Sequence, residues 1–237
     1  MYYLKEYSLR SSIPVFQKLD SDGLLFPEKT IAYDFANTGI YERQLIDWAL
    51  TLMDPTKYFI DIGAHVGTWS LPFAKHCKHV HSFECTPRTY NFLCGNIALH
   101  NVDNKITTHK TAIGDINGKT NIYIRNEDGG GNSCLRTDGI PCETPIHTLD
   151  SFNFTNIGLI KIDVEGYEEQ VFRGMTETLK QNNYPSVLFE SWVNREHEGI
   201  PAAQLRTSLF SYIESIGYRI LPINGWNEMF IAEKVVT

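Results

Sequence analysis

Several features are missing from the 237-residue sequence, and each absence narrows the class of protein. No apolar run reaches the length of a membrane span, and the first residues lack the apolar core of a secretory leader. The five cysteines include no C-x-x-C pair, which argues against zinc or a disulfide framework and favours reduced thiols. The formal net charge of −7 disfavours nucleic acid as a partner. We therefore expect a soluble, cytoplasmic protein without a membrane span.

The pattern along the chain predicts one α/β domain that follows a short extension. Residues 1–40 carry scattered prolines and glycines, and they predict an N-terminal extension that forms either a lid or a dimer contact. From residue 41 to residue 237, strand-like and helix-like segments alternate, which is typical of a parallel sheet with helices on both faces. Ligands of such a sheet bind beyond the carboxyl ends of its strands.

The segment at 58–70, YFIDIGAHVGTWS, is the centre of this prediction. It reads as a buried strand, a glycine turn and a helix, an arrangement in which backbone N–H groups face a ligand. Gly63 and Gly67 allow close approach, but His65 stands where a dinucleotide-binding loop has its middle glycine. The strand-end acid Asp61 repels a phosphate and attracts an ammonium, so the segment favours S-adenosylmethionine over NAD. The alternative is a plain glycine turn that Asp61 ties together.

Further loops provide candidates for the nucleoside. Glu84 ends the next predicted strand, where a carboxylate accepts hydrogen bonds from both ribose hydroxyls; the alternative is a solvated acid. After a third predicted strand at 106–112, Ile113 and Asp115 lie in a loop that flanks the adenine in this architecture. Asp115 is then a partner for the exocyclic amine, or else a simple turn acid. Glu42 begins a predicted helix, where its charge favours the helix dipole; a contact with the cofactor is the alternative.

Carboxylates also follow two later predicted strands. Asp163 and Glu190 each end a buried apolar run. Together with Asp61 and Glu84, they make four acids that we expect at the same edge of the sheet. Lys161 shares the face of Asp163 by the period of two along a strand. Glu165 opens the next helix, where it either takes part in the site or caps backbone N–H groups.

These segments resemble the FkbM-type methyltransferases, a branch of the class I S-adenosylmethionine-dependent enzymes, over residues 41–190. The resemblance rests on Tyr41-Glu42, DIGAHVG at 61–67, FEC-x-P at 83–87 and IKIDVEGYEEQVFRG at 160–174. It implies a Rossmann-like fold with a seven-stranded, mostly parallel sheet whose last strand is antiparallel. It also implies a cofactor site that includes Ala64, and methyl transfer to a hydroxyl of a sugar, an oligosaccharide or a similar small polyhydroxylated molecule.

The chemistry expected from this resemblance is an in-line displacement at a sulfonium methyl. Because the donor is already activated, the protein must position the acceptor oxygen and assist the removal of its proton. Asp163 is the best-placed carboxylate for this task, with Lys161 and Glu165 beside it. Glu190 and His197 join Asp163 either as a base or as ligands for Mg²⁺ or Mn²⁺, which prefer oxygen donors; the alternative for His197 is a solvated loop residue.

Two remaining features bear on the acceptor. A glycine run at 128–133 predicts a loop that closes over a substrate or is a simple turn, and it makes Asn132 and Ser133 candidate substrate contacts. No N/D-P-P-Y/F/W run follows Ile162, which argues against methylation of base or glutamine nitrogens. Two other hypotheses stay open: an NAD-dependent oxidoreductase, and a non-catalytic module that binds a glycan or a protein.

Overall fold

The structure is a computed structural model that describes residues 42–125, 131–135, 137–193, 196–197 and 200–235, with the backbone alone at Glu196, His197 and Ile200. The predicted N-terminal extension at 1–40 and the first part of the glycine run at 128–133 lie outside the described residues. The side chain of His197 lies outside them as well.

The described elements alternate between strand and helix along most of the chain. The strands are β1 (Tyr58–Ile62), β2 (His79–Phe83), β3 (Ile106–His109), β4 (Ala112–Ile113), β5 (Gly118–Ile124), β6 (Ile140–His147), β7 (Ile157–Ile162), β8 (Ser186–Glu190), β9 (Glu196–His197), β10 (Ile200–Pro201), β11 (Tyr218–Ile223) and β12 (Trp226–Lys234). The α-helices are α1 (Arg43–Leu50), α2 (Ser70–Ala74), α3 (Pro87–Leu99), α4 (Glu168–Arg173), α5 (Thr176–Gln181) and α6 (Ala202–Ser215), and a 3₁₀ helix spans Leu149–Phe152.

Seven strands form the main sheet in the order β11-β12-β8-β7-β1-β2-β3. Strand β12 runs antiparallel to both of its neighbours, whereas β8, β7, β1, β2 and β3 pair in parallel. A tight connection at Gly225, whose φ is +85°, reverses the chain between β11 and β12. The predicted seven-stranded, mostly parallel sheet with an antiparallel last strand is therefore confirmed.

Two predicted elements are shorter or divided in the structure. The single helix expected after Glu165 is two helices, α4 and α5, which separate at Gly174. A Cβ atom at Gly174 would lie 1.8 Å from the carbonyl oxygen of Gly114, so the break lets the two backbones pass in contact. The strand expected at 106–112 ends at His109, because Ala112–Ile113 joins a separate sheet of β4, β6 and β5. Strand β6 in that sheet was not predicted.

The core packs against both faces of the main sheet. Residues of β1 alternate between the faces, with Phe59 packed in one buried apolar cluster and Ile60 and Ile62 in the other. Asp61 shares the face of Phe59, and its Cα partners in the neighbouring strands are Ser82 in β2 and Lys161 in β7. The strand register therefore places a polar row within an otherwise apolar face, at the end of the sheet where ligands bind.

Candidate functional site

A cleft of about 990 Å³, its open mouth included, lies beyond the carboxyl ends of β1, β2 and β7. The predicted site residues that line it are Glu42, Gly63, Ala64, His65, Glu84, Ile113, Lys161, Asp163 and Glu165, together with Asn132 and Ser133. The predicted site residues that do not line it are Asp61, Gly67, Asp115 and Glu190.

The glycine loop after β1 is shaped by contacts with its neighbouring strands. The backbone N–H groups of Gly63 and Ala64 both donate to the carbonyl oxygen of Phe83, at 3.0 and 2.9 Å. The next N–H group, that of His65, donates to Glu84 Oε2 at 3.0 Å. The end of β2 therefore accepts all three of these N–H groups, and the expectation that backbone N–H groups face a ligand stays a prediction for the rest of the turn.

Gly63 is required by space as well as by conformation. Its φ is +77°, and a Cβ atom there would lie 1.8 Å from the carbonyl oxygen of Asp163. The loop after β1 and the loop after β7 thus touch through backbone atoms alone. Any other residue at this position would force the two loops apart.

Glu84 anchors the opposite wall of the cleft. Its Oε1 accepts the N–H group of Thr86 at 2.7 Å, and its Oε2 accepts that of His65, so both carboxylate oxygens are held in place. Burial raises the pKa of Glu84 to about 7, although these hydrogen bonds act in the opposite direction. Each oxygen retains lone-pair capacity, which allows the carboxylate to accept a pair of hydroxyls from the cleft side.

Asp61 lies behind the cleft rather than in its wall. The side chain is fully buried, and its Oδ2 accepts the hydroxyl of Ser70 at 2.5 Å; that hydroxyl also lies 2.7 Å from Ser82 Oγ. Burial raises the pKa of Asp61, although Lys161 and Ser70 act in the opposite direction. A direct contact between Asp61 and a ligand ammonium does not fit this placement, whereas tying the loop to the sheet does.

The buried ammonium of Lys161 connects the glycine loop to the acids. Its Nζ donates to the carbonyl oxygen of Gly63 at 2.9 Å and lies 3.3 Å from Asp163 Oδ2 and 3.8 Å from Asp61 Oδ1. Burial alone would lower the pKa of Lys161, but the charges of Asp163, Asp61 and Glu42 outweigh it and raise the pKa above the usual value. Lys161 therefore stays charged and balances the acids around it.

Glu42 turns into the cleft rather than towards its helix. Its side chain makes no capping hydrogen bond to α1, and its Oε2 accepts the indole N–H of Trp69 at 2.7 Å. Burial and the neighbouring Asp163 raise the pKa of Glu42 to about 7, against the effect of the Trp69 hydrogen bond. Of the two interpretations of Glu42, the one that places its carboxylate at the cofactor side of the cleft fits this geometry.

The loop that follows β7 presents Asp163 and Glu165 to the cleft. Glu165 and Gly166 have φ values of +56° and +100°, which turns the chain sharply before α4. Glu168 Oε1 holds this turn by accepting the N–H groups of Val164 at 3.2 Å and Gly166 at 3.1 Å. Glu165 Oε1 in turn accepts the N–H group of Gly131 at 2.9 Å, so it contacts the opposite loop rather than capping the helix.

Asp115, which was expected to contact the adenine, does not line the cleft. Ile113 lines the cleft, but Asp115 is exposed outside it. Tyr167 lines this part of the wall, and burial raises the pKa of its phenol to about 12. A wall of this kind offers an aromatic ring and aliphatic carbon to a planar base.

The residues predicted as metal ligands are not assembled in the described part of the chain. Glu190 Oε2 accepts the indole N–H of Trp192 at 2.9 Å, away from the cleft lining. Among the described residues, no three His, Cys, Asp or Glu side chains are grouped so that they could hold a metal ion. None of the helices in that same part of the chain has the length and apolar character needed to cross a bilayer.

Several cleft residues were missed at the level of sequence. They are Ile62, Thr68, Trp69, Phe83, Cys85, Thr86, Thr111, Ala112, Ile122, Cys134, Val164 and Tyr167. Cys85 and Thr86 directly follow the acid that was predicted, so the end of β2 carried a usable signal. No comparable signal marked Cys134, because its place in the cleft depends on the pairing of Ser133 with Tyr123 in β5. The local sequence does not indicate this pairing.

Comparison with known proteins identifies the family of this chain. The model of the methyltransferase FkbM domain matches residues 61–220. No curated protein matches the sequence.

Solved structures with the same fold include several methyltransferases. The methyltransferase FkbM of Methylobacillus flagellatus is 17% identical with a TM-score of 0.52; the match covers 76% of this chain and 44% of that one. A candidate caffeoyl-CoA O-methyltransferase of Staphylococcus aureus is 16% identical with a TM-score of 0.56, over 86% and 91% of the two chains. A candidate methyltransferase of Streptococcus mutans, solved in complex with S-adenosylhomocysteine, is 9% identical with a TM-score of 0.53, over 81% and 96%.

Proposed function

Because the chain belongs to the FkbM methyltransferase family, we propose that it transfers a methyl group from S-adenosylmethionine to a hydroxyl of a sugar, a glycan or a similar polyhydroxylated acceptor. Dependence on S-adenosylmethionine follows from the family, whereas the acceptor and the choice of oxygen belong to the proposal. Neither an NAD-dependent oxidoreductase nor a non-catalytic module is supported by the comparisons. The observation that carries the proposal is the pair of acidic walls, Glu84 on one side and Glu42 with Asp163 on the other, in a single cleft.

The two walls suit the two ends of the donor. The carboxylate of Glu84 accepts the ribose hydroxyls, and Ile113 and Tyr167 form the wall against which the adenine packs. Glu42 and Asp163 lie at the other end, where the donor carries an ammonium and a sulfonium. Because Lys161 offsets only part of this negative charge, the cleft favours a cationic ligand.

Asp163 is the proposed base for the acceptor hydroxyl. It lies at the carboxyl end of β7, its side chain is 30% exposed, and Lys161 Nζ fixes one of its oxygens at 3.3 Å. In the reaction, the acceptor oxygen forms the bond to the methyl carbon while the bond from that carbon to sulfur breaks, and Asp163 takes the hydroxyl proton. Asn132 and Ser133 line the same cleft as Asp163 and are the proposed acceptor contacts.

Calorimetric titration of the reduced protein with S-adenosylhomocysteine and with NAD⁺ tests the cofactor site. We expect binding of the homocysteine nucleoside alone, and Glu84→Ala should weaken it at least about 100-fold, because two hydrogen bonds to a charged group are lost. Glu143→Ala is the matched control, since Glu143 lies on β6 with a side chain 65% exposed. Binding of NAD⁺ instead, or of neither nucleotide, would contradict the proposal.

Transfer of a labelled methyl group, screened over sugars and glycans, tests the acceptor. Asp163→Asn should lower the transfer rate about 100-fold or more while the affinity for S-adenosylhomocysteine changes far less, because a base acts on the transition state. Labelled product from amines, with none from hydroxyl acceptors, would refute the choice of oxygen.

Three further expectations stay predictions. A Mg²⁺ or Mn²⁺ site at Asp163, Glu190 and His197 predicts that dialysis against EDTA lowers transfer and that the added metal restores it. A homodimer predicts a doubled mass in light scattering. A cytoplasmic location predicts that the protein fractionates with soluble cell contents.

A further inference from the structure

Two cysteine side chains that the sequence places far apart meet in the cofactor cleft. Cys85 follows Glu84 at the end of β2, and Cys134 follows the pairing of Ser133 with Tyr123 in β5. Both line the same cleft, and the thiol of Cys85 hydrogen-bonds the thiol of Cys134. Both are partly exposed, so the open cleft gives a small reagent access to them.

The backbone on each side of this pair is held in place. The N–H group of Glu84 donates to the carbonyl oxygen of His109 at 3.1 Å, and that of Tyr123 donates to the carbonyl oxygen of Ser133 at 3.0 Å. The two sulfur atoms therefore meet because two separately anchored segments bring them together. A disulfide can form between two thiols that meet in this way, provided that the anchored segments let the sulfur atoms approach to bonding distance.

We propose that Cys85 and Cys134 are a site of oxidative modification, where a peroxide converts the dithiol into a disulfide that weakens cofactor binding. The thiolate of Cys134 attacks hydrogen peroxide, the O–O bond breaks, and a sulfenic acid and hydroxide form. The Cys85 thiol then attacks the sulfenic sulfur, the S–O bond breaks, and the leaving hydroxide takes the thiol proton as water. The two sulfurs supply the two electrons that reduce the peroxide to water.

The surroundings assign the order of these steps. The hydrogen bond from Cys85 lowers the pKa of Cys134, which favours its thiolate as the attacking group. The hydrogen bond to Cys134, burial and the adjacent Glu84 carboxylate raise the pKa of Cys85, so it reacts second. Cys77 is different, because it is buried in the core and burial raises the pKa of its thiol to about 11.

The disulfide acts on the cofactor through the two walls it joins. A disulfide holds its sulfurs about 2.0 Å apart, closer than any thiol contact, so it draws the segment at 131–135 towards the residue that follows Glu84. Because a displaced Glu84 carboxylate makes weaker hydrogen bonds to the ribose, we expect oxidation to raise the Kd for S-adenosylhomocysteine at least about tenfold. This effect on the cofactor rests on the proposed function, whereas formation of the disulfide does not.

The test oxidises the whole protein with hydrogen peroxide and follows intact mass, disulfide mapping and calorimetry with S-adenosylhomocysteine. We expect the loss of two hydrogen atoms, a mapped Cys85–Cys134 link, the weaker binding stated above, and full recovery with dithiothreitol. Cys134→Ser and Cys85→Ser should each abolish the effect of peroxide on affinity, whereas Cys142→Ser, on β6 outside the cleft, should leave it intact. By linkage, bound S-adenosylhomocysteine must oppose formation of the disulfide by the same factor.

The outcomes separate the two proposals. A different mapped link, oxidation to sulfinic acid without a link, or a link with unchanged affinity would each overturn the inference. Failure of the reduced protein to bind S-adenosylhomocysteine would instead refute the proposed function and the coupling to it, while the mapped link still decides whether the pair is an oxidation site.

Discussion

Replacement of Lys161 by methionine tests whether one buried ammonium holds the site together. Lys161 is 2% exposed, and its Nζ is the positive charge that faces the fully buried Asp61 at 3.8 Å. Methionine keeps most of the side-chain volume but leaves the Asp61 carboxylate without a counter-ion. Loss of one partner from a buried ion pair costs about 3–5 kcal/mol, because the remaining charge is neither hydrated nor compensated.

The free energy needed to protonate the Asp61 carboxyl group gives a second estimate of this cost. In Lys161→Met the buried Asp61 can escape the penalty by taking up a proton, and to protonate a carboxyl of ordinary pKa at pH 7 costs about 4 kcal/mol. At pH 5 the same protonation costs about 1.5 kcal/mol. The folded-state pKa of Asp61 in the variant lies above its unfolded value, so stability falls as pH rises between the two values. The penalty should therefore be larger at pH 7 than at pH 5.

Urea denaturation of the wild type and the variant at both pH values measures this penalty. Lys119→Met is the control, since Lys119 pairs with Glu143 on the surface with side chains 69% and 65% exposed, and it should leave the stability close to that of the wild type. The double variant Asp61→Asn with Lys161→Met removes both charges and should recover at least about 2 kcal/mol. A loss below about 1 kcal/mol for Lys161→Met, or a loss that does not depend on pH, would refute the reasoning.

Three other variants or conditions test the loops and acids of the cleft. Gly63→Ala should prevent stable folding, because the new Cβ atom would overlap the carbonyl oxygen of Asp163. Gly225→Ala is the control: its φ of +85° is similar, no atom lies within 4 Å of the new Cβ, and it should cost only about 1–2 kcal/mol in urea denaturation. Similar losses for both variants would contradict the contact with Asp163. Glu168→Gln removes the titrating carboxyl group but keeps an oxygen that can accept the N–H groups of Val164 and Gly166. Burial raises the pKa of Glu168 to about 7, so the stability of the wild type falls as pH rises above 4.5. The variant should therefore gain up to about 3 kcal/mol of stability relative to the wild type between about pH 5 and pH 8. An unchanged difference over this range would show that Glu168 is not the titrating group. The Kd for S-adenosylhomocysteine should fall as pH rises from about 6 to 8, since ionised Glu84 accepts the ribose hydroxyls better; a flat calorimetric profile would contradict that role.

Properties that depend on periodicity and on strand ends were predictable from the sequence. Asp61 and Glu84 each end an apolar run, and such runs become adjacent parallel strands whose ends lie side by side. What the pattern could not supply is how far each side chain reaches. Asp61 and Lys161 lie directly opposite each other in the register of β1 and β7, and both side chains are buried, although only Lys161 reaches the cleft lining. In the sequence, an acid that ends a strand and contacts a ligand looks the same as an acid, such as Asp61, that is buried against a lysine.

Contacts between segments that are distant in sequence were not predictable for a related reason. Gly174 interrupts the predicted helix because its backbone touches Gly114, a contact that no local propensity encodes. Cys85 and Cys134 likewise meet in the cleft although one follows β2 and the other follows the residue that pairs with Tyr123 in β5. Helix and strand periods report on a segment's own geometry, whereas these features depend on two segments together.

The charge of the cleft connects the fold to the proposed reaction. Glu42 and Glu84 each have a pKa near 7 because they are buried, so a cationic ligand that enters the cleft favours their ionised forms. Methyl transfer converts the donor's sulfonium into a neutral thioether, and this removes the positive charge that the acids were holding. Lys161 Nζ holds one oxygen of Asp163 at 3.3 Å, whereas Glu42, whose pKa burial raises to about 7, can regain a proton when the product leaves. If these acids hold the donor as proposed, we expect the cleft to bind the charged donor more tightly than its neutral product, because burial strengthens the attraction between charges.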